Sequence, residues 1–319
     1  MLKGGHIALG TAAIGRPVYI NIKQEDPDTE FSLEAFRKKG VEVLETAYRK
    51  GVRHFDTAPN YGLAEDLLID WIKEKNDPSL IVSTKWGYTY VANFDPNATE
   101  HEIKEHSLNK LNEQWAVSRA LLPHLKLYQI HSATFESGVL ENTEVLNQLY
   151  ELKKKFGLII GLTVTGSNQV DVLKKALTVQ VENEGLFQSV QFTFNLLDQS
   201  VATMKNELEQ LDSPILIKEV LANGRLIPND DYKSYAPLYN EMKGLAKKYR
   251  VGADAIALRF AMDSFKNANV LSGASNEAHL MANLKADTFS LAYDEMDRLR
   301  SFAIAPSAYW NERKELQWN

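Results

Sequence analysis

The sequence predicts an α/β chain folded as a (β/α)8 TIM barrel, and three observations carry that expectation. The first is length: 319 residues suit a barrel that takes roughly 250 residues plus insertions. The second is a set of eight strand-length apolar runs: HIALG, VRHFD, LIVSTK, LKLYQIH, LIIGLTV, SVQFTFN, PILIKEV and ANVLSGA. The third is that the segments between them carry helical periodicity.

Taken in order, the run ending at Gly10 opens the chain, and a loop and helix follow it. In VEVLETAYRKG, Val41, Leu44 and Tyr48 share a face, and Gly51 can take the left-handed stop. In EVLNQLYELKKKFG, Val145, Leu149, Leu152 and Phe156 do the same, with Gly157 as the stop. RKG-VRHFD and KKFG-LIIGLTV therefore read as helix, glycine, buried strand. Most strands start about 25 to 45 residues apart, as repeated βα units require. The longer gap from 221 to 268 holds a loop and two helices, with 219 to 234 expected as a long surface loop. Strands buried on both faces favour a closed parallel barrel. The alternative, an open doubly wound sheet, would favour G-x-G-x-x-G after the first strand, and none is present. No linker breaks the chain, so residues 1 to 319 are expected as one domain, with 303 to 319 as a tail over one mouth of the barrel.

Hydrophobic residues make up 44% of the chain, and the net charge is −6 with acids and bases interspersed. This balance argues against nucleic-acid and membrane-surface partners, which select a basic face. There is no cysteine, which excludes disulfides, thiolate catalysis and cysteine-ligated metals. The start, MLKGGHIALG, lacks the apolar core of a signal peptide, and no apolar run reaches about 18 residues. A cytoplasmic protein acting on a small molecule is expected. The assembly state is not readable from the sequence.

In a parallel barrel, function collects at the carboxyl ends of the strands. Four titratable side chains stand there on three neighbouring strands: Asp56 and, in its loop, Tyr61; Lys85; and His131. Singly, each has a plain alternative: a helix cap, a loop aromatic, a solvated lysine, a core histidine. Together they form a group suited to proton donation. A tyrosine has a pKa near ~10, and an adjacent ammonium is expected to lower it. Asp56 would keep Lys85 charged, and His131 could hydrogen-bond a substrate oxygen. The assembly suits carbonyl reduction, in which oxygen gains a proton as carbon gains a hydride. No side chain supplies hydride, so a nicotinamide cofactor is required.

The matching segments are Asp56-Thr57-Ala58 with Tyr61-Gly62 and Glu65, then Ser83-Thr84-Lys85, then Tyr128-Gln129-Ile130-His131. They continue through Ile160-Gly161, Gln191 with Asn195-Leu196-Leu197, and Gly273-Ala274-Ser275 with Leu280 and Asn283. In these the chain resembles the aldo-keto reductase family over about residues 6 to 285. The resemblance implies reduction of an aldehyde or ketone, or the reverse oxidation of an alcohol or sugar. Asp56, Tyr61, Lys85 and His131 correspond to the family's catalytic tetrad, with Tyr61 as the general acid. It implies NADP or NAD held by Thr11, Thr163, Gln191, Lys218, Leu221, Asn223, Gly224, Gly273, Ala274, Ser275, His279 and Asn283.

Two positions depart from the family pattern. Thr163-Val164 stands where the family has Ser-Asn, and Lys218 stands where an aromatic commonly stacks on the nicotinamide. At Gly273, Asn276 and His279 the lysines or arginines of NADP-dependent members are missing, which weakens the family default. Trp86, Tyr88 and Trp310 are candidate walls of a substrate pocket, with Tyr90, Tyr309 and Trp318 nearby in sequence. No metal ligand set is read. Two other functions stay open: a nicotinamide-binding regulatory subunit on the same fold, and a lyase using Lys85 as a Schiff-base lysine.

Overall fold

The computed structural model describes residues 4–17, 32–95 and 97–317; Trp318 lies outside them. Eight parallel strands close into a barrel: β1 Ile7–Gly10, β2 His54–Asp56, β3 Ile81–Trp86, β4 Leu125–Ala133, β5 Ile159–Val164, β6 Ser189–Thr193, β7 Ile215–Lys218 and β8 Ala268–Ser272. Each apolar run read from the sequence contributes one of them. β1 pairs with both β2 and β8, which closes the ring.

Alternation along each strand decides what fills the barrel. Phe55 points outward and packs on Trp71 with ring centroids 5.2 Å apart. Tyr128 does the same on Trp115, at 5.2 Å. The inward residues are unusually polar: His54, Asp56, Ser83, Lys85, Gln129, Gln191 and Asn269 are all buried. Gly161 belongs to this interior. A Cβ there would come within 2.8 Å of the Ser189 carbonyl and 2.9 Å of Leu127, so a glycine is what lets these two neighbours close in.

The helices cover the outside. Leu33–Arg49 buries Val43, Leu44 and Ala47, while Val41 is exposed; the apolar stripe lies one step round from the face expected. Thr143–Phe156 buries Val145, Leu149 and Leu152 and ends at Gly157, whose φ is 66°. A hairpin, Tyr88–Tyr90 with Glu102–Lys104, leaves β3. None of the described helices is long and apolar enough to cross a membrane.

One segment differs from expectation, and the tail takes a form that the sequence reading leaves open. Residues 219 to 234 are not simply a surface loop: Val220, Ala222, Leu226 and the whole Arg225 side chain are buried. The tail expected from 303 onward contains a helix, Pro306–Lys314, with Tyr309 and Trp310 buried. The two segments are joined by one contact. Arg225 stacks on Tyr309 with its Cζ 4.2 Å from the ring and donates to the Tyr309 carbonyl at 3.2 Å. Tyr309 in turn takes the Asn195 amide at 3.0 Å.

Candidate active site

The C-terminal end of β2 and the loop behind it bring the first two side chains together. Lys85 lies fully buried on the adjacent strand with Nζ 2.5 Å from Asp56 Oδ2, and it also donates to the Thr57 carbonyl at 2.9 Å. The other Asp56 oxygen receives the Ser83 hydroxyl at 2.6 Å, the Gln191 amide at 3.2 Å and the Gln129 amide at 3.4 Å. Ser83 is itself held by His54 Nε2 at 3.0 Å, and His54 Nδ1 meets the Asn269 amide at 3.3 Å. Because the carboxylate only accepts, Ser83 donates to Asp56 and His54 Nε2–H donates to Ser83. A chain of donors thus crosses the barrel and ends on Asp56.

Tyr61 is set against this pair by two glycines. Gly62 adopts φ 58°, and a Cβ on it would come 2.3 Å from the Gly15 carbonyl; a Cβ on Gly15 would come 2.0 Å from the Tyr61 carbonyl. The loop after β1 therefore lies directly on the loop that carries the phenol. Lys85 Nζ sits 4.8 Å from the Tyr61 ring centroid, and His131 meets the same ring edge-on at 5.6 Å. The four side chains share one end of the barrel.

Their electrostatics differ in one respect from the sequence expectation. The Tyr61 pKa is not lowered: burial pushes it well above 10, and Asp56 adds to the rise while Arg16 opposes it. Lys85 is paired at 2.5 Å with Asp56, whose own negative charge opposes ionisation of the phenol. Burial also holds the His131 pKa well below its usual value, and Lys85, Lys218 and Arg16 push it the same way. At neutral pH the site thus presents a protonated phenol and an uncharged imidazole. Behind them, His106 donates to the His131 carbonyl at 2.9 Å, and Tyr88 lies tilted on the His131 ring at 4.8 Å.

From Asp56 and Tyr61 a cleft of about 620 Å³ runs across the mouths of β6, β7 and β8 to His279 and Asn283. Gln191, Lys218, Leu221, Asn223, Gly224, Gly273, Ala274 and Ser275 line it as well. Thr11 and Thr163 are set back from it: the Thr11 hydroxyl donates to the Asp56 carbonyl at 3.1 Å, and the Thr163 hydroxyl accepts from Ser132 N–H at 2.7 Å. Both are fully buried. Trp86 and Trp310 are not on the cleft wall either. Trp86 is fully buried against His106, and the Trp310 indole donates to Asp198 at 3.0 Å, as a buried indole requires.

Lys218 donates to the Thr193 hydroxyl at 3.1 Å, and burial pushes its pKa down to about 8. Next to it, burial alone would raise the Glu219 carboxyl, but Arg313 and Lys218 hold it at about 2. Arg313 grips Glu219 through two nitrogens, at 2.6 and 3.0 Å.

Several residues of the site are not among those expected from sequence. Arg16 lines the cleft, lies 5.4 Å from the Tyr61 ring and pairs with Glu102 at 2.9 Å. Its signal is a basic residue in the first strand-to-helix loop, at the functional end of the barrel. Glu219, Arg313 and Asp254 carry no comparable local signal.

The turn Leu221 to Gly224 after β7 and the helix start after β8 both line the cleft. N–H groups at such turns and helix starts suit phosphates. No group of acids and histidines among the described residues could hold a metal ion.

A sequence model of the aldo/keto reductase family matches residues 7–304. An uncharacterised oxidoreductase of Bacillus subtilis, YqkF, is 24% identical over 298 residues, covering 85% of this chain and 89% of its own. Among solved structures, a glycerol dehydrogenase from Gluconobacter oxydans superposes with a TM-score of 0.68 at 21% identity, covering 93% of this chain and 90% of that one. An aldo-keto reductase from Bacillus halodurans gives 0.68 at 18% identity, covering 96% of each chain. At these identities the structural likeness shows the fold.

Proposed function

The chain belongs to the aldo/keto reductase family, and from that premise we propose that it reduces an aldehyde or ketone with a nicotinamide dinucleotide, using Tyr61 as the proton donor. The reverse oxidation of an alcohol or sugar uses the same groups. The observation that carries this reading is the placement of the Tyr61 phenol beside the buried Lys85–Asp56 pair, at the head of a cleft of about 620 Å³.

Gln191, Lys218, Leu221 to Gly224 and Gly273 to Asn283 would hold the dinucleotide. When bound, it supplies the hydride that reaches the carbonyl carbon. The protein's own residues then govern the oxygen. His131, uncharged, hydrogen-bonds it and orients the carbonyl. As negative charge grows there, it becomes a far stronger base than the phenol, and Tyr61 gives up its proton. A raised pKa suits this step, because the donor stays protonated until the alkoxide forms. The phenolate left behind is stabilised by Lys85 and Arg16, whose positive charges stand 4.8 and 5.4 Å from its ring. Asp56 holds Lys85 in place through their 2.5 Å contact.

Lys85 as a Schiff-base lysine is disfavoured by the same geometry: it is fully buried and bonded to a carboxylate. The experiment that tests the proposal is a fluorescence titration with both reduced dinucleotides, followed by a screen of aldehydes and sugars with the tighter one. Binding with turnover supports it. Binding without turnover of any carbonyl points to the regulatory reading instead.

A further inference from the structure

We infer that this chain selects NAD(H) over NADP(H), and that the Asp254 carboxylate makes the selection. The inference rests on the proposed function and names the dinucleotide its cleft takes. The two dinucleotides differ at one place, where the adenosine 2′-oxygen carries either a hydrogen or a phosphate. A phosphate there requires cations or several donors. A hydroxyl is itself a donor, and a carboxylate is the acceptor that suits it while repelling the phosphate.

The lysine and arginine side chains among the described residues lining the cleft are Arg16 and Lys218, and both stand at the Tyr61 end. Arg16 is held beside the Tyr61 ring and bonded to Glu102. Lys218 is in register with Thr193 on the neighbouring strand and bonded to its hydroxyl. The far end of the cleft is built from the first turns of two helices that pack on one another, Ala253–Ser264 and Glu277–Leu284.

The polar side chains contributed there are Asp254, Ser275, His279 and Asn283. The Asn283 amide donates to the Ser272 hydroxyl at 2.8 Å. The His279 ring turns Nδ1 to the Asn276 amide at 3.2 Å, which leaves at most one ring nitrogen for a ligand. Asp254 stands in the first turn of its helix, where backbone N–H groups favour a negative charge. The two cations among the described residues lining the cleft, Arg16 and Lys218, are engaged at its other end. A 2′-phosphate entering this end would face the Asp254 carboxylate, whereas a 2′-hydroxyl could donate to it.

The test is equilibrium binding of NADH and NADPH to the purified protein, followed by fluorescence, with 5′-AMP and adenosine 2′,5′-bisphosphate as probes of the adenosine end alone. The same titrations are run on Asp254→Asn, whose fold is checked by circular dichroism. We expect NADH to bind at least about tenfold more tightly than NADPH, the scale a like-charge contact imposes, and 5′-AMP to outbind the bisphosphate. In Asp254→Asn the NADH preference should shrink several-fold, chiefly through tighter NADPH binding. Equal or tighter NADPH binding by the native protein, or an unchanged ratio in the folded variant, overturns the inference and leaves the proposed function standing. Failure of both dinucleotides to bind overturns the proposed function, and this inference with it.

Discussion

Lys85 and Asp56 meet inside the barrel with Nζ 2.5 Å from Oδ2, and neither side chain is more than 3% exposed. Two charges so deeply placed are a hazard to folding unless each satisfies the other. Their isolation from water also makes them effective on a neighbouring phenol.

Removing one partner should therefore cost more than an ordinary ion pair is worth. Lys85→Met and Asp56→Asn should each lower the unfolding free energy by about 3–5 kcal/mol, because an uncompensated charge or a misfit amide is left buried. Urea melts of the two variants and of the double variant measure this. The double variant should lose much less than the sum of the single losses.

The bond from Ser83 to Asp56, 2.6 Å long, links the Asp56 carboxylate to His54. Ser83→Ala leaves the His54 Nε2–H without its acceptor and Asp56 with one donor fewer. A loss of about 1–3 kcal/mol is expected, together with a fall in kcat at unchanged KM. A stable variant with native kinetics would separate His54 from the site.

Glu65 offers a pH-dependent stability test. Burial pushes its carboxyl up from 4.5 to about 7, against the hydrogen bond it accepts from Thr84 at 3.2 Å. A folded-state pKa above the unfolded one gives stability that is complete below about pH 4.5 and lost as pH rises through about 7. At pH 8 the native protein should stand on the order of 3 kcal/mol below that limit. Glu65→Gln should raise the melting temperature at pH 8 and flatten its pH dependence between 4.5 and 7.

Glu219 behaves in the opposite sense. Its carboxyl is held at about 2, so its contribution is present above about 4.5 and lost as pH falls toward 2. Arg313→Met should remove this acid limb and cost about 3 kcal/mol at neutral pH. It should also free the helix Pro306–Lys314, which limited proteolysis can detect.

How much of this is legible in the sequence depends on how far apart the contributing residues lie. Strands buried on both faces read as continuous apolar runs, so all eight can be found locally. Asp56, Lys85 and His131 are legible because each breaks an apolar pattern at the same end of a strand, and Tyr61 because it stands in the loop that follows Asp56. Arg313 and Glu219 are 94 residues apart, and no periodicity connects a charged residue in the tail with one after β7. The stretch 219 to 234 resembles a surface loop because it holds two Asn, two Asp, a Gly and a Pro, yet Arg225 is buried by stacking on Tyr309. Trp86 and Trp310 illustrate the converse error: aromatic residues near a strand end or tail suggest pocket walls, but these two fill space behind His106 and Asp198. The direction of the Tyr61 shift goes against the sequence expectation because a sequence shows that a lysine is near and not how far burial and the Asp56 charge oppose ionisation of the phenol.

The central claim is that the Tyr61 hydroxyl delivers the proton. Its most direct test compares Tyr61→Phe with the native protein, measuring dinucleotide affinity and single-turnover reduction of the best aldehyde found. The account predicts affinity within about twofold of native and a rate lower by roughly 10² to 10⁴. A variant that binds the dinucleotide and reduces the aldehyde at the native rate would contradict it.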